Sequence, residues 1–387
     1  MNTYEPTYIV EINGKELPED ISDKVESFSY EDHEDKMDEL RLSIIDLDLS
    51  YCDHPMLQEG GEIRARWGYI GDLSEMRICT IKEIGYDFGE DGTVRIDLTG
   101  YDKSHKLTGR AARTCWTDKK LEEVVTDIAK KHNLTPVIKI PGDFKREALS
   151  QGGKNDFVFL KSLAAEMGCK MWVVNDELHF EPNEAKGSAS YTFRYREDAE
   201  GFLQSLSIKS NAEKGKGTGK ETESAGVDPV TKKPFQEKTS AEREYITENL
   251  ADGREEKETP LQPKDDETGN IKPTPSPTAA QGRQEAKGHV VSEGMRTIEA
   301  NAETIGIPGL KAKDIIRIEG ISNKFSGLWR VKSVKHSISD AGYTCGLELA
   351  RSDHNAGGAQ LSKGGKTPAN NDQKGAAGPS FVEANVG

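Results

Sequence analysis

The densest group of side chains able to do chemistry is Glu31-Asp32-His33-Glu34-Asp35, four carboxylates around one imidazole. Two carboxylic acids held across a sugar can hydrolyse a glycoside, one as acid and the other as base or nucleophile. Here the cluster follows one alternating segment and precedes another, so it reads as a solvated loop. In a chain with 67 acidic residues, such groups also arise by chance. Other reactive patterns do not occur. There is no G-x-x-x-x-G-K-[ST], no H-E-x-x-H, no G-x-S-x-G, and no G-x-G-x-x-G leading from a strand into a helix. GKGTG (215–219) has no strand before it and reads as a linker. No two of the eight histidines share a helix face at metal-ligand spacing. His336 stands at a strand end, where a hydrogen-bonded structural imidazole is the expectation. Trp67, Trp329, Trp116 and Trp172 read as packing or subunit-interface residues rather than ligand contacts. No catalytic, cofactor-binding or metal residue is therefore assigned, no cofactor is expected, and the chain is read as a non-enzyme.

The elements that would position such residues are mostly strands. Residues 7–12 (TYIVEI), 25–31 (VESFSYE), Leu40–Ile44, Ile63–Tyr69 and Val94–Leu98 alternate apolar and polar residues. Each therefore buries one face. About six such strands in about 100 residues predict a small antiparallel barrel or sandwich. From Thr117 the period becomes helical. Leu121, Val124, Val125, Ile128 and Ala129 share a face, with Thr117 or Asp118 as the N-cap. His132-Asn133 ends that helix, and PVIKI follows as a strand. A second helix starts at Asp156, with Phe157, Leu160, Leu163, Ala164 and Met167 on one face and Gly168 after its end. MWVV (171–174) and ELHF (177–180) then form a hairpin about Asn175-Asp176.

One unit recurs. EIRARWGYIGDLSEMRICTIKEIGY (62–86) and DIIRIEGISNKFSGLWRVKSVKH (314–336) both run strand, polar turn, strand, and each is followed by a third strand. The fold class expected is β-rich α+β: two similar small antiparallel β-barrels separated by small α+β domains. Residues 1–105 form the first barrel, 106–148 one α+β unit and 149–200 a second. Residues 201–353 form the second barrel, with a polar insertion at about 211–288 that includes one short helix near 240–250. Residues 354–387 form a Gly-rich mobile tail. The insertion is too poor in apolar residues to offset its ordering entropy and is expected to be extended or partly disordered. Three copies of a two-barrel chain would set six barrels in a ring. This reading takes the copies as separate modules; dissimilar folds around Trp67 and Trp329, or one sheet shared by both, would overturn it.

Length, composition and charge bound the class further. At 387 residues, two to four domains are expected. Only 34% of residues are hydrophobic. No run of about 18 apolar residues marks a membrane segment, and the first residues have no signal-peptide pattern. Five dispersed cysteines without a CxxC pair argue against a disulfide framework and fit synthesis in a reducing cytoplasm. A net charge of −15 repels phosphate backbones, so specific nucleic-acid binding is not expected.

The order of motifs Gly306–Leu310, Phe325–Val331, His336 and Gly342–Leu349 resembles that of the late control D family of phage tail proteins. CWTDKKLEEVVTDIAKKHNL and NDFVFLKSLAAEMGCKMWVVNDELHF share the resemblance, which covers roughly residues 1–210 and 290–353 and departs at Cys345-Gly346. The resemblance implies a baseplate hub of a contractile tail in a virion or phage-tail-like particle, assembled in the bacterial cytoplasm. It also implies kinship with the base of type VI secretion spike proteins. Such a hub is a homotrimer whose two tube-like barrels per chain make a pseudo-sixfold ring. Its partners would be the hexameric tail tube protein, a separate trimeric central spike protein, baseplate wedge proteins and the tape measure protein. The rival readings are a tail-associated cell-wall hydrolase and a receptor- or glycan-binding tail protein.

Overall fold

The computed structural model describes residues 5–140, 145–182, 189–195, 203–210, 222–227, 234–239, 298–322 and 325–351. The N-terminal part contains β1 (Pro6–Ile12), β2 (Lys15–Glu16), the single turn α1 (Glu19–Ser22), β3 (Val25–His33), β4 (Glu39–Asp46), β5 (Glu62–Tyr69), β6 (Asp72–Leu73), β7 (Arg77–Phe88) and β8 (Val94–Asp102). After a 3-10 turn at Lys103–Thr108 come β9 (Cys115–Lys120), α2 (Leu121–Lys131), β10 (Thr135–Ile138), β11 (Lys145–Ser150), α3 (Asp156–Glu166), β12 (Cys169–Val174) and β13 (Glu177–Pro182). The C-terminal part contains β14 (Tyr191–Arg194), β15 (Leu203–Ser210), β16 (Thr222–Val227), β17 (Pro234–Thr239), β18 (Ile298–Ile305), β19 (Ile315–Glu319), β20 (Gly327–Ser339) and β21 (Gly342–Arg351). The protein is thus the β-rich α+β chain expected.

The sequence repeat is larger than its three quoted strands. In the first module the strands lie in the order β1-β5-β7-β8-β4-β3. In the second the order is β14-β19-β20-β21-β18-β15. The irregularities repeat as well. β7 bulges against β8 between Ile81 and Glu83, and β20 bulges against β21 between Val331 and Ser333, so Lys82 and Lys332 are the extra residues. β3 bulges against β4 between Val25 and Ser27, and β15 bulges against β18 between Leu203 and Ser205. A bulge adds one residue and bends its strand, so matched bulges fix the alignment of the two modules. The alignment sets Trp329, opposite Ile316, in the place of Cys79, opposite Ile63; the two tryptophans of the repeat are not equivalent. The modules differ in their last strand. β1 runs antiparallel to β5, whereas β14 runs parallel to β19.

The two modules are not separate sheets. β3 pairs with the second half of β20, and all these strands belong to one 14-stranded sheet. Among the described strands no ladder closes either half into a barrel. The physical reason is an edge. β3 would otherwise expose a row of backbone N–H and C=O groups, and β20, 13 residues long, outreaches β19 and offers a partner. One apolar cluster runs through both halves, from Phe28, Leu42 and Ile96 to Trp329, Val334 and Leu347. Gly306 shows how tightly the second module packs, because a Cβ there would lie 2.0 Å from the Tyr343 ring.

The middle segments share a core of their own. Val125 and Ile128 of α2, Leu160 and Leu163 of α3, and Met171 and Phe180 of β12 and β13 belong to one buried cluster. Both helices lie where the period placed them, with two local differences. The expected caps Thr117 and Asp118 lie in β9, because that segment finds a ladder partner in β11; the N-cap of α2 is Lys120, whose N–H donates to the Glu123 carboxylate at 2.9 Å. On α3, Phe159 is buried and Phe157 only half-buried. The hairpin forms about Asn175, which takes a φ of 52°. In the insertion, β16 and β17 pair as a hairpin. The helix expected near 240–250 and the tail 354–387 lie outside the described residues.

Candidate functional site: an internal joint and two matching edges

The β3–β20 ladder is the joint between the modules. Phe28 stands opposite Ile338 and Tyr30 opposite His336, and all four side chains are buried. The Tyr343 hydroxyl donates to Nδ1 of His336 at 2.7 Å, while Nε2–H donates to the Leu310 carbonyl at 3.1 Å. Burial pushes the His336 pKa down to about 4, so the ring is neutral near pH 7. Trp67 of the first module packs over it, with ring centroids 5.1 Å apart. His336 is thus the hydrogen-bonded structural imidazole expected.

The acidic segment differs most from expectation. Residues 31–33 are the end of β3, and Glu34 is only 2% exposed. Its N–H donates to the Lys332 carbonyl at 2.9 Å, at the bulge of β20. Its carboxylate pairs with Arg330 and, at 2.8 Å, with Lys332, while Lys170 of β12 approaches to 3.7 Å. Asp35 bonds both Lys170 and Lys332, at 2.7 and 2.8 Å. Burial pushes both carboxyls up, but the surrounding cations outweigh it and hold them below their usual range. The segment is therefore a clasp joining both modules and the α+β part, not a solvated loop. A sequence pattern cannot show this, because Arg330, Lys332 and Lys170 lie far away along the chain.

Beside the clasp lies a cleft of about 290 Å³ lined by Asp32, Asp38, Arg77, Asp102, Trp172 and Lys313, among others. Asp38 accepts from the Tyr30 hydroxyl at 2.8 Å and from the His33 N–H at 3.0 Å. Asp102 accepts from the Ser104 N–H at 3.1 Å. The Ala312 N–H donates to Asp32 at 3.1 Å. Burial, with neighbouring carboxylates, raises Asp38, and burial pushes Asp102 up to about 7. A protonated acid in a cleft is a feature of glycosidases. Here each carboxyl is engaged by the residues that hold β3, the 3-10 turn and the loop before β19 together, which is a structural use. Trp172 at the rim stacks on His179 with centroids 5.0 Å apart and carries Lys313 over its face. Trp116 stacks on Phe159 at 5.5 Å. Among the described residues no His, Cys, Asp and Glu group is placed to hold a metal, and no helix is long and apolar enough to cross a membrane.

Two further edges matter. Beyond the bulge at Lys82, residues Glu83–Phe88 of β7 pair with β8 on one side, and among the described residues no ladder lies on the other. Tyr86 and Phe88 there are 41% and 65% exposed. At the far end of the sheet, β15 pairs with β18 alone among the described strands. Its Leu206 and Ile208 are half-buried.

The fold is that of phage tail proteins. A tail protein from Neisseria meningitidis MC58 superposes with a TM-score of 0.63 at 12% identity, over 91% of this chain and 98% of that one. A 43 kDa tail protein of prophage MuSo2 from Shewanella oneidensis gives 0.64 at 11% identity, over 90% and 99%. An E. coli component of the type VI secretion system, described as structurally similar to tail proteins of bacteriophage T4, gives 0.55 at 10% identity, over 90% and 78%. By sequence, the family model described as the Alg8 N-terminal domain matches residues 3–340, and the chain belongs to that family. No curated protein sequence matches the chain.

Proposed function

We propose that the chain is the structural hub of a contractile-tail baseplate, a homotrimer that adapts a hexameric tail tube to a trimeric central spike. The observation that carries this reading is the six-strand module present twice, with the same strand order and the same two bulges. Two equivalent modules per chain let threefold assembly present six similar surfaces. Separate sheets were the sequence expectation, and the joint through β3 and β20 replaces it. That joint puts both modules in one sheet, the outcome named against the ring, so the ring itself rests on the matched strand order and bulges alone. The tail-protein fold supports the reading, as does the motif order shared with the late control D family. Partners on this reading are the tube protein, a separate spike protein, baseplate wedge proteins and the tape measure protein, with the particle as location. The net charge of −15 then disfavours DNA adhesion along an enclosed channel.

Light scattering on the purified full-length chain tests the assembly. Three times the chain mass, with rings of six lobes by electron microscopy, is the expected result. A monomer at every concentration up to hundreds of micromolar contradicts it. Release of sugar fragments from peptidoglycan, lost on Asp102→Asn, would instead favour the hydrolase.

A further inference from the structure

The cleft beside the clasp collects cations from each part of the chain: Arg77 of β7, Lys161 of α3 and Lys313 of the loop before β19. Arg77 is the one that the fold leaves unused. It is only 8% exposed, yet its guanidinium makes no hydrogen bond among the described residues. Glu75 is the sole carboxylate within ion-pair distance there, at 3.7 Å, and the same oxygen already accepts from Lys311 at 2.8 Å. A buried guanidinium whose N–H donors are idle lacks an acceptor. Arg330, buried to the same degree, has Glu34. We propose that the cleft is a binding site for a carboxylate carried on an apolar or aromatic stem, with Arg77 holding the carboxylate and Trp172 flanking the stem.

The other walls suit that ligand. Lys313 takes a φ of 77°, and its N–H donates to the Val331 carbonyl at 2.8 Å. The fold thus holds a non-glycine residue in the left-handed region, and its ammonium sits 5.1 Å from the centre of the Trp172 ring. Lys161 donates to the Glu34 carbonyl at 3.2 Å, and burial lowers its pKa only to about 8, so at pH 6 it is charged. Trp172, Met171 and Phe157 supply the apolar side of a space of about 290 Å³, enough for a small acid or one peptide side chain. The carboxyls on the floor do not take the place of the ligand. Asp38 accepts from Tyr30 and His33, Asp102 from Ser104, and Asp32 from Ala312, and each lies beyond ion-pair distance of Arg77. With Asp38 raised and Asp102 at about 7, both are mostly neutral at pH 6 and repel an anion little. A planar fork of donors grips a carboxylate at two points, which a lysine cannot do. The site lies within one chain and does not rest on the hub reading.

Isothermal titration calorimetry on the purified full-length chain at pH 6 tests the site with three probes: phenylacetate, inorganic phosphate and the capped peptide acetyl-Gly-Phe-Glu-Gly-amide. Phenylacetate should bind once per chain with a Kd of about 1 mM or tighter, and phosphate, which has no stem, more weakly. Arg77→Met, close in volume, should weaken phenylacetate about tenfold or more. Arg77→Lys keeps the buried charge without the fork and should weaken it several-fold, which covers a failure of Arg77→Met to fold. Trp172→Leu should lower the affinity for phenylacetate more than that for phosphate, a split that a general loss of structure would not produce. Circular dichroism matching the parent chain shows that each variant is folded. Peptide binding as tight as that of phenylacetate supports the site and assigns it to an acidic side chain of a protein partner; binding of phenylacetate alone supports it and assigns it to a free acid. No heat from either up to about 10 mM, or binding unchanged in folded Arg77 variants, overturns the site. Phosphate binding tighter than phenylacetate overturns the apolar stem.

Discussion

The two modules have the same six-strand order, yet corresponding strands live in different surroundings. In β20 the residues after the bulge are covered by β3, and His336 and Ile338 are buried there. In β7 the residues after the same bulge pair with β8 alone among the described strands, and Tyr86 and Phe88 are exposed, although the Tyr86 hydroxyl donates to the Cys52 carbonyl at 3.3 Å. Likewise Phe28 of β3 is fully buried, while its counterpart Leu206 of β15 is half-buried. The difference shows that strand position within a module does not set burial; the presence of a neighbouring module does. A residue type can therefore serve as core in one copy and as an edge in the other.

The largest test of this contrast is truncation at equivalent positions. Phe28→Ala should lower unfolding free energy by about 3–5 kcal/mol in urea titrations, because it leaves a cavity at the joint. Leu206→Ala should cost only about 1 kcal/mol in the dilute chain, since its side chain is already partly wet. Equal costs at both positions would break the contrast. Next comes the clasp. Glu34→Ala strands the buried Arg330 and should cost about 3 kcal/mol, with a matching fall in midpoint. A change within error would mean that water reaches the joint as freely as it reaches the open edges.

A further test is the pH dependence of the cleft beneath the joint. Burial raises the Asp102 pKa from 3.8 to about 7 in the folded chain, so the native state binds the extra proton more tightly than the unfolded one. That contribution is complete below about pH 3.8 and is lost as pH rises through about 7. Asp102→Asn should therefore gain stability relative to the parent between pH 4 and pH 8, and a constant difference would refute the assignment. The last test is the His336 ring itself. Its folded pKa is lowered from 6.5 to about 4, so the unfolded chain takes up the proton first and stability falls as pH drops across that interval. Ring resonances of His336 in NMR should stay those of a neutral imidazole at pH 5.5; titration near 6.5 would show that the ring is not sealed behind Trp67.

Much of the secondary structure was legible in the sequence because it depends on short-range periodicity. V-E-S-F-S-Y in β3 alternates, and one face is buried as that pattern requires. Leu121, Val124, Val125 and Ile128 recur at helical spacing and all four are buried on α2. What was not legible depends on partners remote in sequence. Residues 115–120 became a strand only through β11, which displaced the expected helix cap. Glu31–Asp35 reads as a solvated loop on composition, yet Glu34 is buried because cations from β20 and β12 converge on it.

The amino-acid order alone determined the β-rich class, the two helices of the middle part and the existence of a repeated unit, since each is written in the period of neighbouring side chains. Only the tertiary structure decided that the repeat spans six strands, that its copies share a sheet, and which edges stay open. Strand pairing joins residues about 300 positions apart, such as Asp32 and Val334, through backbone groups that every residue carries and no side-chain pattern specifies.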